Sequence, residues 1–175
     1  MLSLVTGGVK SGKSEWAELL AHQSHQPVVY IATALVDPHD LDWQGRIQQH
    51  QQRRPPAWQT WEVPLLLPEV LANSAKEHFF LINLIDSLGT WVANWLAQPD
   101  TDWQTSSHKL LTVLWEHQGT IPIVAEAVGW GVVPAFRDRL GYLTRQIATI
   151  ADRTYLVVAG YALPLHQWAE KLPAP

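Results

Sequence analysis

The sequence contains no cysteine. That excludes disulfides, a thiolate metal site and a cysteine nucleophile, and it fits a reducing compartment. No uncharged apolar run approaches the ~18 residues that a membrane-spanning helix needs. The chain does not open with a basic segment followed by an apolar core, so no secretory signal is expected. Basic charge is scarce: 12 Lys and Arg stand against 16 Asp and Glu, for a formal net charge of −4. A nucleic-acid or anionic-membrane surface is therefore not expected. No internal repeat or low-complexity tract divides the chain. A cytoplasmic protein of one domain, 1–175, is therefore expected, with a tail at 170–175 that is expected to fray. Tryptophan is plentiful, with ten residues. Packing accounts for most of them, although one or two could line a pocket for a large flat ligand.

The most informative stretch is GGVKSGKS at 7–14. Its spacing is that of a P-loop, G-x-x-x-x-G-K-[ST]. The candidate nucleotide-binding residues are Gly7, Gly8, Val9, Lys10, Ser11, Gly12, Lys13 and Ser14. Glycines let successive backbone N–H groups turn inward onto phosphate oxygens. Lys13 suits the terminal phosphates, and the Ser14 hydroxyl suits magnesium. The context agrees: LSLVT before the loop has strand character, and SEWAELLAHQ after it has helical spacing.

Short, apolar, largely β-branched runs predict strands at 2–6, 28–32, 79–85, 121–125 and 154–159. They lack period-2 alternation, as parallel strands covered on both faces do. Helical patterns occupy 14–23, 40–53, 66–76, 89–97, 103–117 and 135–151, with a loop expected at 97–103. Alternating strands and helices predict an α/β fold with a mostly parallel central sheet flanked by helices. Ligands of such sheets bind beyond the carboxyl ends of the strands. The third predicted strand ends in Asp86, which suits either magnesium or the cap of the next helix. Ser14 and Asp86 would then offer hard oxygen ligands at adjacent strand ends. The fourth strand ends in Glu126, just before a glycine–tryptophan–glycine turn. Glu126 is either a site acid or a surface acid.

A second unusual stretch is GRIQQHQQRRPPAW. On a helix, Arg46, His50 and Arg53 or Arg54 share one face. Such a cluster suits a polyanion, and the arginines favour neutral, nucleophilic imidazole at His50. A solvated basic face is the other reading of the same pattern.

Taken in order, TGGVKSGKS, VVYIATA, RIQQHQQRRPPAW, LIDSLGTWVAN, VGWGVVP and ADRTYLVVAG resemble the bifunctional adenosylcobinamide kinase / adenosylcobinamide-phosphate guanylyltransferases of cobalamin synthesis. The resemblance runs from about Leu2 to Pro164. It implies a RecA-like P-loop NTPase fold and a homotrimer. It also implies phosphorylation of adenosylcobinamide by a nucleoside triphosphate (GTP, or ATP as donor) with Mg2+, followed by GMP transfer from GTP through a GMP–histidine. The family's histidine falls on His50, with Lys13 the catalytic lysine of the loop. Arg46 and Arg54 fall on its basic positions and could bind triphosphate, Glu62 on an acidic position downstream of the tryptophan, and Asp86 on its strand-end acid. These residues are taken with the loop as nucleotide-binding, with Ser14 and Asp86 as the expected metal ligands. The implied partners are a corrinoid substrate and GTP, with no nucleic acid and no membrane insertion. Two stretches depart from the pattern. Glu126–Ala127 stands where members often carry Asn–Glu, and Thr144–Arg145–Gln146 where they often carry Asn–Gln–Arg. The rival readings are a small-molecule P-loop kinase without nucleotidyl transfer and a non-catalytic nucleotide-binding regulator.

Overall fold

The structure, a computed structural model, describes residues 1–35, 39, 45, 51–77, 81–127 and 133–173. Its order is β1 (Leu2–Gly7), α1 (Lys13–His22), β2 (Val28–Ala32), β3 (Gln59–Glu62), α2 (Leu67–Glu77), β4 (Ile82–Asp86), α3 (Leu88–Asn94), α4 (Asp100–Glu116), β5 (Ile121–Glu126), α5 (Pro134–Ile150), β6 (Arg153–Val158), β7 (Tyr161–Pro164) and α6 (Leu165–Trp168). The strands form one sheet in the order β3-β2-β4-β5-β1-β6-β7. Every pairing is parallel except the last, in which β7 folds back antiparallel on β6. This is the mostly parallel α/β architecture that the sequence predicts.

The apolar runs lack alternation because both faces of the sheet are covered. Leu4, Ile31, Ile85 and Ile123 face a core built with α2 to α5. Val5, Tyr30, Leu84 and Val124 face the opposite core, built with α1. Neighbours along one strand thus divide between two apolar layers, where a polar side chain is costly unless it finds a partner, as Asn83 does with Ser74.

The elements begin where local chemistry starts them. Pro134 opens α5 at a position where its missing N–H costs nothing. Ser87 caps α3 in a capping box with Thr90. The expected loop at 97–103 is shorter than predicted. Helix α4 already starts at Asp100, because Pro99 turns the chain and Asp100 and Asp102 favour the positive end of the helix. Two strands escaped the sequence reading. QTWE at β3 is largely polar and mostly exposed, and YALP at β7 is a four-residue, half-exposed strand that folds back directly after Gly160. Phe79 and Phe80, placed in a predicted strand, lie outside the described residues, as does most of the predicted helix at 40–53; residues 51–53 are helical. In the tail, Lys171 donates to Thr149 O at 2.7 Å and Arg145 donates to Pro173 O at 3.0 Å. Among the described residues no helix is long and apolar enough to cross a membrane.

Several tryptophans do pack. Trp91 is fully buried and donates its indole N–H to Leu65 O at 3.1 Å. Its ring lies 5.6 Å from that of Trp103 and 6.0 Å from that of Trp95. We expect Trp91→Ala to lower unfolding stability by about 3–5 kcal/mol, the cost of a large aromatic cavity. Urea denaturation beside the wild type measures this, and a loss below about 1 kcal/mol would contradict the packing described.

Candidate active site

The phosphate loop is held by contacts that explain its glycines. A Cβ on Gly7 would collide with the Val157 carbonyl oxygen and Ser11 Oγ. Only glycine lets the chain leave β1 so close to β6. Gly12 has φ 98°, the left-handed region, and it precedes α1 without a side-chain cap. The first N–H groups of α1 are thereby left for an anion. At Gly8 a Cβ would meet nothing within 4 Å. Protein packing makes no demand for glycine there, whereas close approach by a ligand would. The β6–β7 turn buttresses the loop from behind, with Gly160 N donating to Ser11 O at 3.0 Å. Lys13 Nζ donates to Gly8 O at 3.2 Å. Ser14 is buried at the start of α1, and Val9 and Lys10 are exposed.

Parallel register brings the strand-end acids to the same edge. Glu62 on β3 and Asp86 on β4 are both in register with Ala32 on β2, one from each side. Glu126 on β5 is in register with Gly7 on β1. The expectation that Ser14 and Asp86 follow adjacent strands needs correction: β5 lies between β4 and β1, so Glu126 stands between them. Asp86 does not cap α3, since Ser87 does. Instead Asp86 Oδ2 accepts a hydrogen bond from the Tyr30 hydroxyl at 2.6 Å. Burial first, and the Asp86 charge next, push the Tyr30 phenol far above its usual range, so it remains a donor. The junction after Asp86 is pinned to the end of β2. Thr33 Oγ1 donates to Ser87 O at 2.6 Å and accepts from Ser87 N at 2.9 Å.

Glu126 is a working part of this edge and not a surface acid. Its Oε1 accepts from Ser87 Oγ at 2.6 Å and its Oε2 from Gly89 N at 2.9 Å. A Cβ on Gly89 would strike this carboxylate. Burial raises the Glu126 pKa; the Ser87 hydrogen bond opposes this, Asp86 adds to it and Lys13 opposes it.

The arginine pair divides, which spacing on one helix face did not foresee. Arg53 turns to α1, where Nε and Nη2 grip Glu18 at 2.9 and 2.8 Å and Nη1 meets Glu15 at 2.6 Å. Glu18 is buried, and this fork compensates its charge. Arg54 instead lies flat on Tyr30, its guanidinium carbon 3.3 Å from the ring centroid. Its Nε is buried with no hydrogen-bond partner among the described residues, and Nη1 reaches only Thr60 Oγ1, at 3.4 Å. A buried donor left open in this way is one that a bound anion could satisfy. Arg46 and His50 lie outside the described residues, as does the glycine–tryptophan–glycine turn at 129–131. The structure thus brings Lys13, Ser14, Arg54, Glu62 and Asp86 to one sheet edge. The sequence reading missed Tyr30, which looks like any other buried strand residue in VVYIATA. It also missed Ser87, whose only signal is the Ser-x-x-Thr spacing of a cap.

Comparison with known proteins decides the family. Residues 3–165 match the model of the cobinamide kinase / cobinamide phosphate guanyltransferase family. The chain belongs to this family. It is 38% identical over 172 residues to the bifunctional adenosylcobalamin biosynthesis protein CobP of Pseudomonas aeruginosa, covering 94% of this chain and 97% of that one. It is 32% identical over 185 residues to the CobU protein of the same description from Escherichia coli, covering 94% and 99%. Among solved structures, the Pyrococcus horikoshii protein PH0250 aligns with a TM-score of 0.59 at 7% identity, over 99% of this chain and 92% of that one. That likeness bears on fold alone. Within the family frame, the Glu126–Ala127 departure has a structural use: Glu126 ties the end of β5 to the start of α3.

The raised Glu126 pKa has a sign that can be tested. The folded state binds this proton more tightly than the unfolded state does. Its stabilising effect is present at low pH and is lost as pH rises from the ordinary carboxylate range through the raised value. Glu126→Gln keeps an acceptor for Gly89 N and cannot ionise. The stability of wild type relative to Glu126→Gln should therefore fall across that window, as read from denaturant midpoints at a series of pH values. A pH-independent difference would contradict the burial of a titrating carboxylate.

Proposed function

We propose that this protein phosphorylates the aminopropanol hydroxyl of adenosylcobinamide with a nucleoside triphosphate. It then transfers GMP from GTP to adenosylcobinamide phosphate, giving adenosylcobinamide-GDP. The observation that carries the reading is the complete phosphate loop, 7–14, on an edge shared with Asp86 and Arg54, within a chain whose residues 3–165 match the family. GTP, or ATP, is the phosphate donor. The enzyme acts in the cytoplasm as a homotrimer; light scattering at micromolar concentration should return three chains, and a monomer would contradict that assembly.

In the kinase step the loop N–H groups and Lys13 hold the triphosphate. They also offset the charge that develops as the γ-phosphoryl group passes to the substrate oxygen. Ser14 and Asp86 are oxygen donors of the kind magnesium takes, and the ion would supply further charge neutralisation between the phosphates. Arg54, Arg46 and Glu62 contact the nucleotide. In the transfer step the His50 imidazole nitrogen attacks the α-phosphorus of GTP. A P–N bond forms, the α–β P–O bond breaks and pyrophosphate leaves. An oxygen of the substrate phosphate then attacks the same phosphorus, the P–N bond breaks and the imidazole is regenerated. Two displacements at one cationic site replace a direct meeting of two anions.

One experiment with two arms tests both halves. The protein is incubated with α-labelled GTP and magnesium, and its mass is measured before and after acid. Wild type should gain one GMP through an acid-labile, alkali-stable bond. His50→Ala should lose both the adduct and GMP transfer while it still phosphorylates adenosylcobinamide. Lys13→Ala should lose kinase activity by a factor of about 10² or more, with an unchanged circular-dichroism melt. An adduct that persists in His50→Ala would move the nucleophile elsewhere, and near-wild-type kinase activity in Lys13→Ala would remove the loop from the mechanism.

A further inference from the structure

Tyr30 occupies a place that packing alone does not explain. Its ring is buried, 2% exposed, in the core on the α1 side of the sheet. A phenylalanine would fill that space equally well. Yet its hydroxyl reaches Asp86 Oδ2 at 2.6 Å, and its face carries the Arg54 guanidinium at 3.3 Å. An aspartate and an arginine this close to one another would ordinarily close into a direct fork, the geometry that Arg53 adopts with Glu18. Here the phenol stands between them. It gives the carboxylate one neutral hydrogen bond and the guanidinium a π face, and it pairs neither charge.

We propose that Tyr30 is a positioning residue that keeps Asp86 and Arg54 side by side but unpaired, so that Asp86 can serve a divalent cation and Arg54 the polyphosphate of the bound nucleotide. The hydroxyl fixes one carboxylate oxygen; Oδ1 takes no hydrogen bond among the described residues. The ring fixes the guanidinium plane. The guanidinium is thereby held in a set orientation, with its Nε buried and without a hydrogen-bond partner among the described residues. The arrangement resembles the way outer-sphere hydrogen bonds orient metal ligands. It differs in that one side chain orients an acid and a base together. The inference rests on the reading of Asp86 as the magnesium acid, and its test separates the two.

Binding, not turnover, is the readout. Mn2+ affinity is measured by electron paramagnetic resonance in the presence of the non-hydrolysable analogue guanosine 5′-[β,γ-imido]triphosphate. Inorganic tripolyphosphate affinity is measured by calorimetry without metal. Tyr30→Phe removes the hydroxyl and keeps the ring. It should weaken Mn2+ binding by about tenfold and leave tripolyphosphate affinity and the melting temperature close to wild type. Tyr30→Leu removes the ring as well and should weaken tripolyphosphate by fivefold or more. Asp86→Asn is the control for the underlying reading. If it leaves Mn2+ affinity unchanged, Asp86 is not the metal acid, and the proposal falls with that reading. If Asp86→Asn weakens Mn2+ and Tyr30→Phe does not, the metal reading stands and the role of the hydroxyl is overturned. Tripolyphosphate binding at wild-type strength in folded Tyr30→Leu overturns the role of the ring. Should Tyr30→Leu fail to fold, Tyr30→Phe decides the proposal alone.

Discussion

The four central strands β2, β4, β5 and β1, apolar on both faces, leave most of their polar groups one place to gather: the edge beyond the strand carboxyl ends. Everything else in the site depends on that burial. A side chain inside either layer has no water and few partners, so the sequence carries its acids and its phosphate loop just past the last buried residue of each strand. The register then aligns them. Gly7 meets Glu126, and Ala32 meets both Glu62 and Asp86, because parallel hydrogen bonding fixes which residues stand level.

At that edge charge is managed by pairing some groups and keeping others apart. Glu18 is buried and matched by the Arg53 fork, which ties the chain after residue 50 to the helix that follows the phosphate loop. Glu126 is satisfied by Ser87 and Gly89. Asp86 and Arg54 are kept from each other by Tyr30. Ser11 Oγ and Arg54 Nε remain buried without hydrogen-bond partners among the described residues. Ser11 lies in the phosphate loop, and Arg54 lies on the face of Tyr30. The same edge thus combines paired groups that hold the fold with groups that have no hydrogen-bond partner among the described residues.

How much of this was legible depended on the range of each interaction. The phosphate loop could be read because its geometry is local: five residues of turn, with glycines where a Cβ would strike Val157 or force a left-handed strain. Asp86 could be read because a strand end and an acid are adjacent in sequence. The exposed strand β3 is largely polar and the hairpin strand β7 is only four residues long, so neither was seen. Helix spacing put Arg53 and Arg54 on one cationic face, and the fold sends the first to a helix 35 residues earlier in the chain and the second onto a strand.

The sequence by itself determined the class of fold, the phosphate loop and the family, since motif spacing and strand–helix alternation are properties of neighbouring residues. Only the tertiary structure decided that β5 stands between the loop strand and the Asp86 strand, that Glu126 braces α3, and that Tyr30 separates an acid from an arginine. Tyr30 and Asp86 are 56 residues apart. Their contact comes from which strands pair, and no local pattern records strand order. A buried tyrosine and a buried phenylalanine look alike to hydrophobic periodicity, and they differ only when the fold brings an acid to the hydroxyl.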